Sequence, residues 1–561
     1  MIVGMQIRRI TIQRYRGLQR FTWDPSPGVN CLIGPGDAGK STVLAAISLL
    51  LAPYPAGTCS EFDYHRRQVA DGFEIEAVIT LPPAGALAGE RSQLFVRGWA
   101  DGAVTDLPDE DGAEPVLVCR VRGTPDMEAV HEIIPASGDP MPFSVALRKK
   151  LMLARLSGEE RASRDLRIGS GSVLDRFLGR VDLRPSLHQA VATASRQLEL
   201  PGDVAGAMEK LSGLFDGAGL PDALHLGLIP GPGMSLSGMV ALLHGEDPAT
   251  AIPFAMSGTG TRQLALLEMS SSLAGADPIL VMDEPERGLE PYRQRAAARR
   301  LVEMVGEHGQ AFVTTHAPYV LRCMPQDAIW RLRGGDTAVR FEGDPIAKLL
   351  RDDPPAFFAP VPIFCEGATE VGFLEELLPR PLERPLDAAG IHLIDGEGQP
   401  NVLKLIRAFV ATGVACAGFV DNEATDPEIR RRLAASCTLF VWEGAINIED
   451  AIARHLPLEQ LPLVLAWAEE AKEIPQRQLA DQLVGFIEGA KNRDIGDLVL
   501  AHGEEAVRRG LYAAMTPKKG AWFKTRVGGA VLARGLREAG MPQPIRSQLA
   551  DFVRRLKAML P

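Results

Sequence analysis

Two sets of residues in this sequence have the types and spacing that chemistry requires. The first begins with Gly34-Pro-Gly36-Asp-Ala-Gly39-Lys40-Ser41-Thr42, which satisfies G-x-x-x-x-G-K-[ST]. In that pattern the backbone N–H groups of the glycine loop and the following helix wrap phosphates. Lys40 reaches the β/γ oxygens and Ser41 holds Mg²⁺. A site of this kind needs a second half, an apolar strand ending in acid, and Ile279-Leu-Val-Met-Asp283-Glu284 supplies it. Asp283 is placed to order Mg²⁺, and Glu284 to orient or deprotonate an attacking water. Ser257-Gly258-Thr-Gly260 precedes a helix and offers backbone donors and a hydroxyl to phosphate. His316, just after an apolar run ending Thr314-Thr315, stands where a side chain could sense the γ-phosphate.

The second set is acidic. Glu366-Gly-Ala-Thr-Glu370 follows an apolar run and places two carboxylates four residues apart across a turn. Asp421-Asn-Glu423 ends a second run, where alternation points both acids the same way. Glu443 and then Glu449-Asp450 follow a third, the last pair opening a helix over 450–455. Parallel strands ending together would gather these acids at one sheet edge, where open α/β folds put their sites. Hard oxygen ligands suit Mg²⁺ or Mn²⁺.

Such placement demands particular elements. Short strands are expected at 5–12, 21–23, 29–33, 73–81 and 116–121, with a helix over 41–51 opening directly after Gly39-Lys40. From about 142 to 242 the texture turns helical (174–180, 187–198), broken by Gly and Pro clusters at 213–219 and 230–233. A helix at 263–273 then leads to a strand at 279–282, and a helix at 292–306 to a strand at 311–315. The Pro-rich stretch 352–360 reads as a linker. A new strand–helix alternation follows, with strands from 361 and at 391–394, 414–420 and 439–441. Alternation of this kind implies parallel sheets. The expected fold is α/β in two units. An ATPase domain (1–145 and 246–350) is split by a helical insertion (146–245), and a parallel-sheet domain occupies 360–561.

The 561 residues, 46% apolar, suffice for several cores. A net charge of −11 excludes a basic nucleic-acid coat, yet the charge is uneven. Residues 361–500 carry 12 basic against 23 acidic groups, whereas 501–561 carry 12 against 4. The acidic block thus holds the candidate metal ligands, and a basic end follows it. Seven scattered cysteines without a C-x-x-C pair read as buried thiols in a reducing, cytoplasmic setting. No run of about 18 apolar residues offers a membrane span.

The ordered set at Lys40, Ser257, Asp283–Glu284 and His316 resembles the ABC-type ATPases of the RecF/SMC group. In that group the Ser257-type signature of one subunit completes the nucleotide site of another, so the resemblance implies an ATP-bound homodimer or higher homo-oligomer. The acidic pattern resembles the Toprim domain, and an ABC-type ATPase fused in this order to a Toprim domain resembles the OLD (overcoming lysogenization defect) nuclease family. By that resemblance Glu366, Glu370, Asp421 and Glu423 would hold one metal, and Glu449 or Asp450 would help with a second. Glu366 and Asp421 would be essential to catalysis. The family's second acidic motif is usually Asp-x-Asp; here Glu423 is a methylene longer. The family also carries a C-terminal lysine at its metal site. Within Lys518-Lys519-Gly-Ala-Trp522-Phe523-Lys524-Thr-Arg526, a mixture of cations and aromatics suited to phosphates and stacked bases, Lys524 is the first choice.

The resulting expectation is an ATP-regulated, divalent-metal-dependent DNA endonuclease with a helical C-terminal extension to its Toprim domain. The resemblance adds a role in phage defence and a possible UvrD-like helicase partner. The rival reading is a DNA-binding SMC/RecF-like ATPase of repair or sensing whose Toprim unit is inactive. A topoisomerase or primase reading lacks an agent, since none of six tyrosines is recognisably placed as a nucleophile.

Overall fold

The computed structural model describes residues 5–51, 59–81, 95–106, 108, 112–150, 153–157, 165–166, 172–178, 202–228, 240–247, 250–273, 279–306, 309–422, 428, 431 and 434–560. They form two compact units, Met1–Arg340 and Phe341–Pro561.

The first unit has two main sheets. Strand Ile7–Tyr15 runs antiparallel between Leu18–Trp23 and Phe73–Thr80, and the sheet continues through Glu114–Gly123. Alternation buries Ile10 and Ile12 on one face, and its phase slips at Arg14 (φ 54°), which is exposed while Tyr15 is buried. The second sheet has the order Leu153–Ser157, Ile279–Asp283, Gln310–Thr314, Gly28–Ile33, Ile329–Arg333, all parallel, with Thr337–Arg340 antiparallel at the edge. Helix Lys40–Leu51, uncharged beyond Lys40, buries Val43, Leu44, Ile47, Leu50 and Leu51 in the core shared with the first sheet. Edge-to-face contacts of Trp23 with Phe312 and Trp330 join the layers.

The segment expected as a helical insertion is mixed. Helices Val145–Lys150, Val173–Leu178 and Gly202–Gly217 occur, but Leu153–Ser157 pairs with Ile279–Asp283 and belongs to the ATPase sheet itself. Leu224–Leu228 and Val240–His244 form a hairpin. The helix expected at 187–198 lies outside the described residues.

The second unit is a four-stranded parallel sheet in the order Ile391–Asp395, Val361–Cys365, Ala417–Val420, Thr438–Val441. Phe419 and Phe440 stack across adjacent strands at 4.3 Å, with Trp442 and Phe552 packed edge-on. Helices from Leu463 to Lys557 build the C-terminal extension. The stretch 352–360 is not a linker. A 3₁₀ turn at Pro354–Phe357 buries Pro354, Ala356 and Phe357, and Phe357 meets Phe341 and Phe409. Prolines that look like linker composition here begin a turn whose aromatic residue is core.

Candidate functional site

The phosphate loop lies between strand Gly28–Ile33 and helix Lys40–Leu51. Gly34 (φ 148°) and Gly39 (φ 96°) adopt backbone angles that favour glycine, while Gly36 has neither a positive φ nor a close neighbour. Lys40 is buried, and its Nζ donates to the Gly34 and Pro35 carbonyls at 3.0 and 2.7 Å. Burial lowers its pKa, and nearby Glu284 and Asp283 oppose that shift. Ser41 and Thr42 occupy the first helical turn, and Ser41 Oγ donates to Asp283 Oδ1 at 3.1 Å.

Asp283 pairs in register with Thr314, whose Oγ1 donates to Asp283 Oδ1 at 2.5 Å. Glu284 sits at φ 51°, a left-handed conformation that costs a non-glycine residue on the order of 1 kcal/mol. Its N–H bonds back to Thr314. His316 Nε2 stands 3.7 Å from Glu284 Oε1, and both side chains are more than two-fifths exposed. Lys40, Ser41, Asp283, Glu284 and His316 are therefore one site. The signature segment is elsewhere: Ser257 Oγ meets His244 Nε2 at 3.0 Å, and Gly260 abuts Gly288, where an added Cβ would lie 2.3 Å from the Gly288 oxygen. Among the described residues, Ser257, Gly258 and Gly260 make no hydrogen bond to the 34–42 loop. Glu286, for which the sequence indicates no role, is buried and accepts from Thr315 Oγ1 and His316 N–H at 2.8 Å each. Burial raises its pKa. It ties the acidic loop to the histidine.

In the second unit, Glu366 and Asp421 leave adjacent strands at the carboxyl edge, and Glu366 Oε2 accepts from the Asp421 N–H at 2.9 Å. Glu370, on the first turn of helix Ala368–Leu377, is buried. Burial, with Glu449 and Glu366 nearby, pushes its pKa up to about 8. Glu449, in the first turn of Ile448–His455, is likewise raised by burial, opposed first by a backbone hydrogen bond and then by the charge of Lys524. Of the three lysines considered, Lys524 is the one whose charge acts on Glu449.

A close helix crossing positions Lys524. Gly372 of Ala368–Leu377 and Gly529 of Arg526–Glu538 touch backbone on the opposite helix. A Cβ on Gly372 would lie 1.8 Å from the Arg526 oxygen, and one on Gly529 would lie 1.9 Å from the Thr369 oxygen. Thr369 Oγ1 also donates to the Phe523 carbonyl at 3.0 Å.

Three expectations need correction or restriction. Asp450 is committed to structure: Oδ2 accepts from Ile446 N–H, Oδ1 from Arg454 Nε, and the helix begins at Ile448 with Asn447 as cap. Trp522 and Phe523 are at most 1% exposed, and Trp522 Nε1 donates to Gln482, so neither can stack a base. Glu423 lies outside the described residues. Among the described residues no group of three or more His, Cys, Asp or Glu is arranged to hold a metal. The donor chemistry nonetheless fits one: buried carboxylates that raise one another's proton affinity are relieved by a divalent cation, and oxygen ligands suit Mg²⁺ or Mn²⁺. Sequence reasoning also missed Gln399, whose Nε2 donates to the Asp421 carbonyl at 2.6 Å.

Residues 357–422, which hold Glu366, Glu370, Gln399 and Asp421, match the family model for the overcoming lysogenization defect protein-like TOPRIM domain. Residues 5–78 match an AAA ATPase domain, and 147–322 an AAA domain model (AbiEii toxin, Type IV TA system). The chain has the ATPase–Toprim architecture of the OLD family. The AAA match spanning 147–322 agrees with the strand Leu153–Ser157 being part of the ATPase sheet. Solved structures similar to this chain include an Smc head bound to the C-winged helix domain of ScpA (15% identity, TM-score 0.38, 59% of this chain and 96% of that one). RecF–ATP of the RecFOR pathway is another (14%, TM-score 0.34, 60% and 99%). No curated protein matches the chain. Among the described residues no helix is long and apolar enough to cross a membrane.

Proposed function

We propose that this protein is an ATP-regulated, divalent-metal-dependent DNA endonuclease acting in the cytoplasm in phage defence or DNA processing. The observation that carries this reading is the acid group at the sheet's carboxyl edge: Glu366 Oε2 accepts from the Asp421 N–H at 2.9 Å, Glu370 and Glu449 are buried, and the charges of Glu366 and Glu449 both act on Glu370. Glu366, Glu370, Asp421, Glu423 and Glu449 would hold Mg²⁺ or Mn²⁺, whose chemistry there is to activate water and stabilise the leaving oxygen of a phosphodiester. Lys524, exposed just before the Thr525 cap of helix Arg526–Glu538, would bind the DNA phosphate and neutralise charge as it develops. In the other unit Lys40 would reach the β/γ oxygens of ATP, Ser41 and Asp283 would hold Mg²⁺, Glu284 would orient or deprotonate the attacking water, and His316 would sense the γ-phosphate. Ser257, Gly258 and Gly260 would complete the site of a second copy in a homodimer or larger assembly, a reading supported by their contacts with His244 and Gly288 rather than with that loop among the described residues. A UvrD-like helicase is a further candidate partner.

Supercoiled plasmid incubated with the protein and Mg²⁺ or Mn²⁺ tests the reading: nicked or linear product is expected, and none with either metal would refute it. The alternative, a DNA-binding ATPase with an inactive Toprim unit, draws support from the engagement of Asp450 with Ile446 and Arg454. It predicts DNA-stimulated ATP hydrolysis without cleavage.

A further inference from the structure

Gln399 opens helix Gln399–Ala411 and is 2% exposed. Its Nε2 lies 2.6 Å from the Asp421 carbonyl oxygen and 3.4 Å from Glu366 Oε2. An ionised carboxylate and a carbonyl only accept, so the amide can face them in one way, nitrogen inward. The Asp421 N–H donates to that same Glu366 oxygen. One carboxylate oxygen therefore receives two N–H donors, and one amide joins the ends of two neighbouring strands, Val361–Cys365 and Ala417–Val420.

The preceding turn fixes Gln399 in turn. Gly398, at φ 111°, donates its N–H to the Glu366 carbonyl at 2.7 Å, and Gly396 donates to the Cys365 carbonyl at 2.9 Å. A Cβ on Gly396 would lie 2.3 Å from Val402 Cγ2. Lys348 pairs with Glu397 in the same turn.

We propose that Gln399 is a positioning residue of the acidic site: its amide clamps the Glu366 carboxylate to the Asp421 backbone and sets the spacing of two candidate metal ligands. The inference rests on the reading of that group as a divalent-metal site. Among the described residues Gln399 Oε1 has no hydrogen-bond donor, so the clamp acts through the N–H₂ alone. Methionine keeps the length and loses both donors. Asparagine keeps the amide and falls one methylene short.

The test titrates Mn²⁺ into the full chain without nucleotide, following free Mn²⁺ by electron paramagnetic resonance for wild type, Q399M, Q399N and E366A. Plasmid cleavage and ATP hydrolysis are measured in parallel. Q399M and Q399N are expected to bind Mn²⁺ about 10- to 100-fold more weakly, as loss of a residue that orients a metal ligand commonly does. Melting of the metal-free protein and ATP hydrolysis should match wild type. Wild-type Mn²⁺ affinity in either folded variant overturns the clamp. Failure of both variants to fold overturns it too, because Gln399 would then be holding the fold. Mn²⁺ binding indifferent to E366A removes the metal site and the clamp together. Binding weakened in Q399M, with wild type unable to cut plasmid, keeps the clamp and rejects only the nuclease reading.

Discussion

In the ATPase unit Asp283 accepts from Ser41 and Thr314, Lys40 rests on two carbonyls of its own loop, and Glu284 and His316 stand partly in solvent. In the Toprim unit Glu370 and Glu449 are buried among like charges, with Lys524 opposing. The first site meets most of its polar needs from within the chain and leaves its reacting groups accessible. The second buries acids in a low-dielectric setting that disfavours their charge unless a cation balances it. One binds by exchanging hydrogen-bond partners, the other by relieving repulsion, so the two should respond differently to substitution, pH and metal.

The largest effect expected is complete loss of plasmid cleavage in Glu366→Ala or Asp421→Ala with ATP hydrolysis intact; cleavage surviving either change would remove these residues from the site. Lys40→Ala should do the reverse for ATP, lowering hydrolysis on the order of 100-fold while leaving Mn²⁺ binding at the Toprim unit unchanged. ATPase activity at wild-type level would overturn the nucleotide assignment. Lys524→Met is expected to slow cleavage about 10- to 100-fold without weakening Mn²⁺ binding, and Lys518→Met or Lys519→Met to do much less. Equal effects at all three would mean a diffuse basic surface. Gly529→Ala should cost about 1–3 kcal/mol of Toprim-unit stability by calorimetry, through overpacking against the Thr369 backbone, and unchanged melting would show that the crossing tolerates a methyl group.

The smallest effect concerns pH. The Glu370 pKa is raised in the fold to about 8, so folding favours its protonated form. That contribution is full below the ordinary carboxylate pKa of about 4.3 and is lost as pH rises towards 8. The metal-free Toprim unit should therefore melt lower at pH 8 than at pH 5, with Mg²⁺ restoring stability at pH 8 and Glu370→Gln flattening the dependence. A melting temperature that rises with pH would contradict the buried-acid description.

The strands and loops around Lys40, Asp283, Glu366 and Asp421 were legible because each motif requires an apolar strand before it and a helix or turn after it. Leu153–Ser157 was not: five residues without alternation become a strand only by pairing with Ile279–Asp283. Trp522 and Phe523 look like a stacking platform in composition, but the contacts that bury them are distant in sequence. Asp450 and Glu449 are adjacent acids, and the cap at Asn447 turns one to the backbone while the charge of the other acts on Glu370. Glu286 and Gln399 hold other residues in place, and such roles have no characteristic spacing to read.

Lys40 also bears on speed. Because its ammonium already spans the Gly34 and Pro35 carbonyls, the loop keeps its curvature by itself, and an arriving triphosphate meets a formed cradle. Capture then becomes a side-chain swing rather than a loop rearrangement. Association should be fast, and differences in affinity among nucleotides should lie chiefly in how long each one stays.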